Sequence, residues 1–305
     1  MPAKVSRDGL KLPDMGAILD LTDGEWNLVA DLFDPDGRRG APEHYPRRTM
    51  VEAMLWMART GVQWRYLSER FPPWTAVWSQ WRRWRANGVW AAAMGRLART
   101  IRVDKDRPPE PSMVMVDAQT ARGGRAGPTF HAAGGRGGRT VGAKRSILVD
   151  ILGLPFACRV DPARPHDVAS ARLLLADELP ALPRLRAVVA DRAYRGLAKL
   201  AARRDLVLDI KAPPAGASGF VPLRPLVKVE RAFAQLGRWR RLSRCYEGTE
   251  ASARAWMEVA AVGYLFARLR IEPACQPAGR LASTGAARRL PMTVSPRAVV
   301  APGAA

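Results

Sequence analysis

Three acidic residues stand where phosphate chemistry would need them. Asp117 closes the apolar run Val114–Val116, and Asp191 closes Ala187–Ala190. An aspartate placed directly after a buried strand is costly unless it is hydrogen-bonded or faces a cation. In α/β sheets, sites collect at such strand ends. Glu230 is the third acid. The other charges of its run, Lys228, Arg231, Arg238, Arg240, Arg241 and Arg244, are all positive. On a helix, Ala234, Gly237 and Arg241 would project from the side of Glu230, leaving room for a metal and a phosphate. Val229, Phe233 and Leu236 would form the anchoring apolar stripe. Three carboxylates on separate elements suit a pair of Mg²⁺ ions, which prefer hard oxygen ligands. Such a pair can serve both oxygens of an in-line displacement at phosphorus. Taken singly, each acid also reads as a cap, an ion pair or a solvated charge. The chemistry needs no histidine or cysteine. His44, His131, His166, Cys158, Cys245 and Cys275 are scattered, which encodes neither a metal cage nor a disulfide framework. A reducing cytosol is the simplest setting.

The elements that must position these acids are legible in outline. Residues 112–120 read as a strand. Residues 146–160 read as a hairpin turning at Leu152–Gly153, and 167–179 as an amphipathic helix with Asp167 as a possible cap. Residues 185–191 form a buried strand, 196–204 a helix and 205–213 another strand. Long helices are expected over 225–244 and 251–269. This order predicts an α/β fold with a mixed sheet flanked by helices, and it fits a ribonuclease-H-like fold. Residues 103–112 are proline-rich and polar, a linker. The expected domains are therefore 1–107, 108–270 and a disordered tail over 271–305.

Ahead of the linker the chain is basic. The protein carries 49 Lys and Arg against 28 Asp and Glu, a net +21, with a pI near 11.2. Forty-two of the cations are arginine, whose planar fork matches phosphate. A G·C-rich genome also inflates arginine, yet a polyanionic partner is the first expectation. Residues 38–102 hold thirteen arginines and three glutamates. There Val51, Met54, Leu55 and Ala58 recur at helical spacing before Gly61, a C-cap candidate. A short helix is expected around Trp64–Arg70. After Pro72 and Pro73, a further helix should bury Trp74, Trp78 and Trp81 and expose Thr75, Ser79 and Arg82. This succession resembles a helix-turn-helix, with a plain helical bundle as the alternative. A second basic stretch, 121–146, contains Arg122, Arg125, Arg136, Arg139, Lys144 and Arg145 and no acid. No apolar stretch is long enough for a membrane helix, and the N-terminus lacks a signal-peptide core.

The blocks LTDGEWNLVADLF (21–33), 59–90, VDAQTAR (116–122), 137–155, PHDVASARLLL (165–175), VVADRAYRG (188–196) and VERAFAQLGRWRRLSRCYE (229–247) occur in order. Together they resemble the IS5-family insertion-sequence transposases of the DDE superfamily, over roughly residues 20–268. The resemblance implies a cut-and-rejoin enzyme with a ribonuclease-H-like core. It implies Asp117, Asp191 and Glu230 as the catalytic, metal-holding triad, and two Mg²⁺ ions, with Mn²⁺ a possible substitute. Double-stranded DNA is the implied partner, both as terminal inverted repeats and as target, handled by a homo-oligomer in the bacterial cytoplasm at the nucleoid. Thr75, Ser79, Arg82 and Arg83 are candidates for gripping the terminal repeat. Arg136, Arg139, Lys144, Arg145, Arg238 and Arg241 are candidates for the DNA backbone. The alternatives are a catalytically inactive DNA-binding derivative and a nuclease of the same fold. The block 123–138 is looser than expected, His131 has no assigned role, and Lys228 replaces a commonly apolar residue.

Overall fold

The computed structural model describes residues 20–35, 44–124, 130–134, 138–214 and 223–271. The expected tail and Arg136 lie outside the described residues. No helix among the described residues is long and apolar enough to cross a membrane.

The chain begins with α1 (Asp23–Asn27) and α2 (Ala30–Phe33). The Thr22 hydroxyl accepts from the Glu25 N–H while the Glu25 carboxylate accepts from the Thr22 N–H, a capping box. In α3 (Arg47–Thr60) the predicted stripe of Val51, Met54, Leu55 and Ala58 is fully buried. Gly61 ends the helix at φ 72°, and its N–H donates to Met57 O at 2.9 Å. A residue with a Cβ would be strained there and would press on the backbone of Arg240 and Arg241. The expected helix at 64–70 is a single 3-10 turn, Trp64–Tyr66. Two long helices follow, α4 (Trp74–Ala86) and α5 (Val89–Asp104).

The buried face of α4 differs from the predicted one. Val77, Gln80, Trp81 and Trp84 face inward, whereas Trp78 lies outside. Trp78 stays out because the inward side is already filled by Trp84, set edge-on to Phe33 and Trp90. The Arg82 guanidinium covers the Trp78 ring instead, 4.8 Å from its centroid.

The sheet has six strands: β1 (Met113–Arg122), β2 (Ala132–Gly134), β3 (Thr140–Asp150), β4 (Pro155–Pro162), β5 (Ala187–Asp191) and β6 (Val207–Lys211). β3 runs antiparallel to β1, and its other edge carries β4 and the short β2. On the far side of β1, β5 and β6 run parallel to it. Leaving out β2, the order β4–β3–β1–β5–β6 is a ribonuclease-H-like mixed sheet, as the sequence led us to expect. β2 has no counterpart in the sequence reading.

Helices cover both faces. α6 (Asp167–Glu178) and α7 (Ala198–Arg203) follow β4 and β5. α8 (Val227–Leu236) packs on β1 and β3, and α9 (Glu250–Ile271) on β4. Adjacent residues of β3 show the two layers, because neighbouring side chains on a strand point to opposite faces. Lys144 reaches Asp167 on α6, while Arg145 reaches the segment that follows α8.

The N-terminal helices and the sheet share one hydrophobic core. Trp81 stacks on Trp256 of α9 at 5.3 Å, and Trp64 packs against both rings. The buried Arg102 of α5 pairs with Asp150 at the end of β3. Asp150 also accepts from the Leu152 and Leu154 N–H groups at 2.9 Å each, fixing the predicted hairpin turn. The linker at 103–112 therefore marks no break in packing.

Candidate active site

Register brings the two aspartates together. The last paired residues of β1 and β5 are Met115 and Val189. Asp117 and Asp191 each stand two residues beyond this last pair, at matching positions of neighbouring parallel strands. Both lie past the apolar part of their strands, Asp117 half-buried and Asp191 exposed. Asp191 opens the following 3-10 turn, Arg192–Leu197, and accepts the Ala193 N–H at 2.8 Å.

Glu230 sits exposed in the first turn of α8. Val229, Phe233 and Leu236 anchor that helix, as predicted, and Ala234 and Gly237 lie on its exposed side. α8 is much shorter than the expected 225–244. It ends at Leu236, after which Trp239 turns into the core and Arg240–Leu242 forms a 3-10 turn. Arg241 therefore does not project beside Glu230.

The acids feel one another. Burial pushes the Asp117 carboxyl up to about 6, and the charges of Asp191, Asp167 and Glu230 add to the shift. Asp167 was read from sequence only as a helix cap. It is the first residue of α6, and its carboxylate pairs with Lys144 at 2.5 Å. Tyr194, buried at 1 % exposure, also faces Asp117. Its hydroxyl has no partner in normal hydrogen-bond geometry, and burial among carboxylates raises its pKa strongly. Neither Asp167 nor Tyr194 carries a local sequence signal for this placement. The donor chemistry, hard carboxylate oxygens carrying mutual repulsion, fits divalent cations. Among the described residues, no three acidic, histidine or cysteine side chains are already gathered as a metal cage.

The predicted DNA contacts divide into two groups. Thr75, Arg82, Arg83, Arg139 and Arg238 are exposed, and Ser79 is half-buried. Arg83 donates to the Gln80 side chain from its exposed position. Three others require correction. Lys144 is 4 % exposed and donates to Pro165 O as well as pairing with Asp167. Arg145 is 8 % exposed and donates to Leu242 O at 2.5 Å and Arg244 O at 3.2 Å. Arg241 pairs with Glu247 at 2.8 Å, donates to Val62 O, and lies 4.3 Å from the Trp256 centroid. Lys144 and Arg145 are enclosed because helices cover both faces of the sheet there, and Arg241 braces the turn after α8 against Val62 and Trp256. His131, a loop residue without a role in the sequence reading, has both ring nitrogens buried without partners, against Gly123.

An acid-lined strand end on a mixed sheet of this order is an arrangement suited to phosphoryl transfer. Residues 21–94 match the family described as "Putative transposase of IS4/5 family", and residues 108–209 match "Transposase DDE domain". Asp117 and Asp191 fall inside the second match and Glu230 beyond it. Over 125 residues the chain is 34% identical to the uncharacterized protein y4sN of Sinorhizobium fredii, covering 39% of this chain and 87% of that protein. Among solved structures, the Mos1 strand transfer complex is similar at 12% identity and a TM-score of 0.29, over 76% of this chain and 79% of that one. The chain belongs to the IS4/5 family of transposases and carries its DDE domain.

Proposed function

We propose that the protein cleaves DNA at the ends of its own element and joins the freed 3′-hydroxyl strand to target DNA. The observation that supports this reading is the matched register of Asp117 and Asp191, with Glu230 on α8 near enough for its charge to act on Asp117. These three carboxylates would hold two divalent ions. Mg²⁺, or Mn²⁺ in its place, would supply charge neutralisation at the reacting phosphate and an acidified attacking oxygen.

The chain's own residues do the rest. The sheet fixes Asp117 and Asp191 on rigid backbone, and α8 brings Glu230 across from its buried stripe. Tyr194 fills the space under Asp117 and keeps bulk water from that side. In the first step, a water oxygen bonds to phosphorus, the bond to the 3′-oxygen breaks, and that oxygen leaves as a hydroxyl. In the second, this hydroxyl attacks a target phosphodiester and displaces the target's own 3′-oxygen. Thr75, Arg82 and Arg83, exposed on α4, would grip the terminal repeat together with the half-buried Ser79. Arg139 and Arg238 would hold backbone phosphates nearer the acids. Two ends must be handled together, so a homo-oligomer on DNA belongs to the reading.

The test uses DNA carrying the element's terminal repeats, with Mg²⁺. Wild type is expected to give joined products, and Asp117→Asn to bind DNA without cutting it. Cut but unjoined DNA from wild type would assign a nuclease instead. Binding without cutting by wild type would assign an inactive derivative.

A further inference from the structure

The turn after Asp191 and α7 present a surface that the proposed chemistry does not use. Residues 192–204 hold five cations and no acid. Arg192–Leu197 is a 3-10 turn and Ala198–Arg203 an α-helix. Residues three apart eclipse one another in a 3-10 turn, and residues three or four apart are neighbours on an α-helix. Tyr194, Leu197 and Ala201, spaced three and four, are buried. Arg192, Arg195, Lys199 and Arg203, spaced three, four and four, are exposed. Their spacing follows the change of helix type, which keeps all four on the solvent side.

The rest of that side is small. Its other exposed residues are Ala193, Gly196, Ala198 and Ala202, so nothing bulky or acidic stands between the cations. Among the described residues, none of the four makes an ion pair or a side-chain hydrogen bond. By contrast, Arg48, Arg96 and Arg159 each pair with a carboxylate. Lys199 and Arg203 are like charges at i and i+4, which repel on a helix. A polyanion compensates such a row. From Arg192 to Arg203 the row runs about 19 Å, while one strand of duplex DNA carries a phosphate roughly every 3.4 Å of its axis. The row is therefore long enough to meet several phosphates of one strand.

Position decides which DNA this is. The row starts beside Asp191, and its elements pack on β5 and β6. α8, which carries Glu230, packs on β1 and β3. In the sheet, β3 and β5 lie on opposite sides of β1. The N-terminal helices meet the turn after α8, where Arg241 donates to Val62 O at 3.2 Å and Gly61 packs against Arg240. A terminal repeat gripped by α4 thus approaches from the α8 flank, and the row lies on the other flank of the acids. Strand transfer brings two DNA molecules together at the acids, one from each flank.

We infer that Arg192, Arg195, Lys199 and Arg203 bind the phosphate backbone of the target duplex. Phosphate contacts carry no base information, so the surface accepts any sequence. Its role as a target track rests on the strand-transfer reading above, whereas its affinity for duplex DNA does not.

The test compares full-length wild type with a variant carrying Arg192→Ala, Arg195→Ala, Lys199→Ala and Arg203→Ala. Two short duplexes are used, one of the terminal repeat and one without it. Each phosphate contact contributes about 0.9 to the slope of log affinity against log salt, so the slope for the repeat-free duplex should fall by about 3–4. Affinity for the repeat duplex should stay within about twofold, because base contacts and the α4 phosphates are untouched. Arg195→Ala with Lys199→Ala alone should lower the slope by about 2, with an unchanged thermal midpoint, since both side chains are exposed. Joining by the fourfold variant should fall at low target concentration and recover at high. An unchanged slope, an equal loss for the repeat duplex, or joining that excess target does not restore would overturn the proposal. The binding measurements involve no chemistry, so they remain readable if wild type proves unable to cut.

Discussion

Two adjacent basic pairs, Lys144–Arg145 on β3 and Arg82–Arg83 on α4, look alike in sequence and lie in opposite settings. On β3, neighbouring side chains point to opposite faces and helices cover both. Lys144 is therefore committed to Asp167 and Pro165 O, and Arg145 to the carbonyls of Leu242 and Arg244. On α4, successive residues are only about 100° apart, and one whole side of the helix meets solvent. Arg82 and Arg83 both stay exposed, one over Trp78 and one beside Gln80. The layers around an element decide whether its arginines are scaffold or contact surface. Net charge, even at +21, does not decide it.

The contrast separates changes that cost chemistry, those that cost stability and those that cost only binding. The largest effect belongs to β1, the strand beside the basic pair. Asp117→Asn should lower strand cleavage by about 10³-fold or more, the loss of several kcal/mol of stabilisation at the reacting phosphate. DNA retention in a gel-shift assay should persist. If the mutant loses binding together with cleavage, Asp117 belongs to the scaffold instead.

Stability comes next. Arg145→Met removes the donor to the Leu242 and Arg244 carbonyls, at a cost of about 1–3 kcal/mol, read as a lower midpoint in urea. Gly263→Ala should cost a similar amount, about 1–3 kcal/mol, by overpacking. A methyl group on Gly263 would overlap the Trp239 ring, which is 4 % exposed and leads into the turn at 240–242. Arg82→Met, by contrast, should stay within about 0.5 kcal/mol of wild type. Equal losses at positions 82 and 145 would erase the distinction.

A buried acid sharpens the same point through pH. Glu258 on α9 is 5 % exposed, and burial pushes its carboxyl up to about 7, against the opposing pull of Arg254 at 2.8 Å. Between the unfolded value near 4.5 and the folded one, the native state binds more protons than the unfolded chain. Stability should therefore fall as pH rises through that window and level off above about 7, by of order 1–3 kcal/mol. Glu258→Gln should flatten this slope in denaturant titrations at pH 5 and pH 8. An unchanged slope would place the titrating group elsewhere.

What could be read from the sequence follows the range of the forces involved. The Gly61 cap, the turn at Leu152–Gly153 and the stripe of Val229, Phe233 and Leu236 are local patterns, and each stands where expected. The strand-end positions of Asp117 and Asp191 are equally local, and the parallel register that aligns them follows from the fold. Where tertiary packing overrides local pattern, the reading failed. Apolar spacing runs on past Gly237, yet α8 stops there because Trp239 docks on Gly263, far along the chain. Trp78 shares the spacing of a buried stripe, but Trp84 fills that side against Phe33 and Trp90. Asp167 and Tyr194 reach Asp117 only through the crossing of α6 and the turn after β5, a proximity that no spacing within either segment encodes.

The smallest effect tests the outer face of α4 by itself. Arg82 and Arg83 are exposed, so their contribution to binding should be electrostatic, through counterions released from the phosphates they neutralise. Each phosphate contact contributes about 0.9 to the slope of log affinity against log salt. Replacing Arg82 and Arg83 together by alanine should therefore lower the slope by about 2 if both reach phosphates, and by about 1 if Gln80 keeps Arg83 for itself. Affinity should fall alike for all DNA sequences, since phosphate contacts carry no base information. A sequence-dependent loss would instead assign these side chains to base edges in a groove. An unchanged slope would leave the exposed face of α4 outside the DNA interface and move the contact to exposed cations of the sheet half such as Arg139 and Arg238.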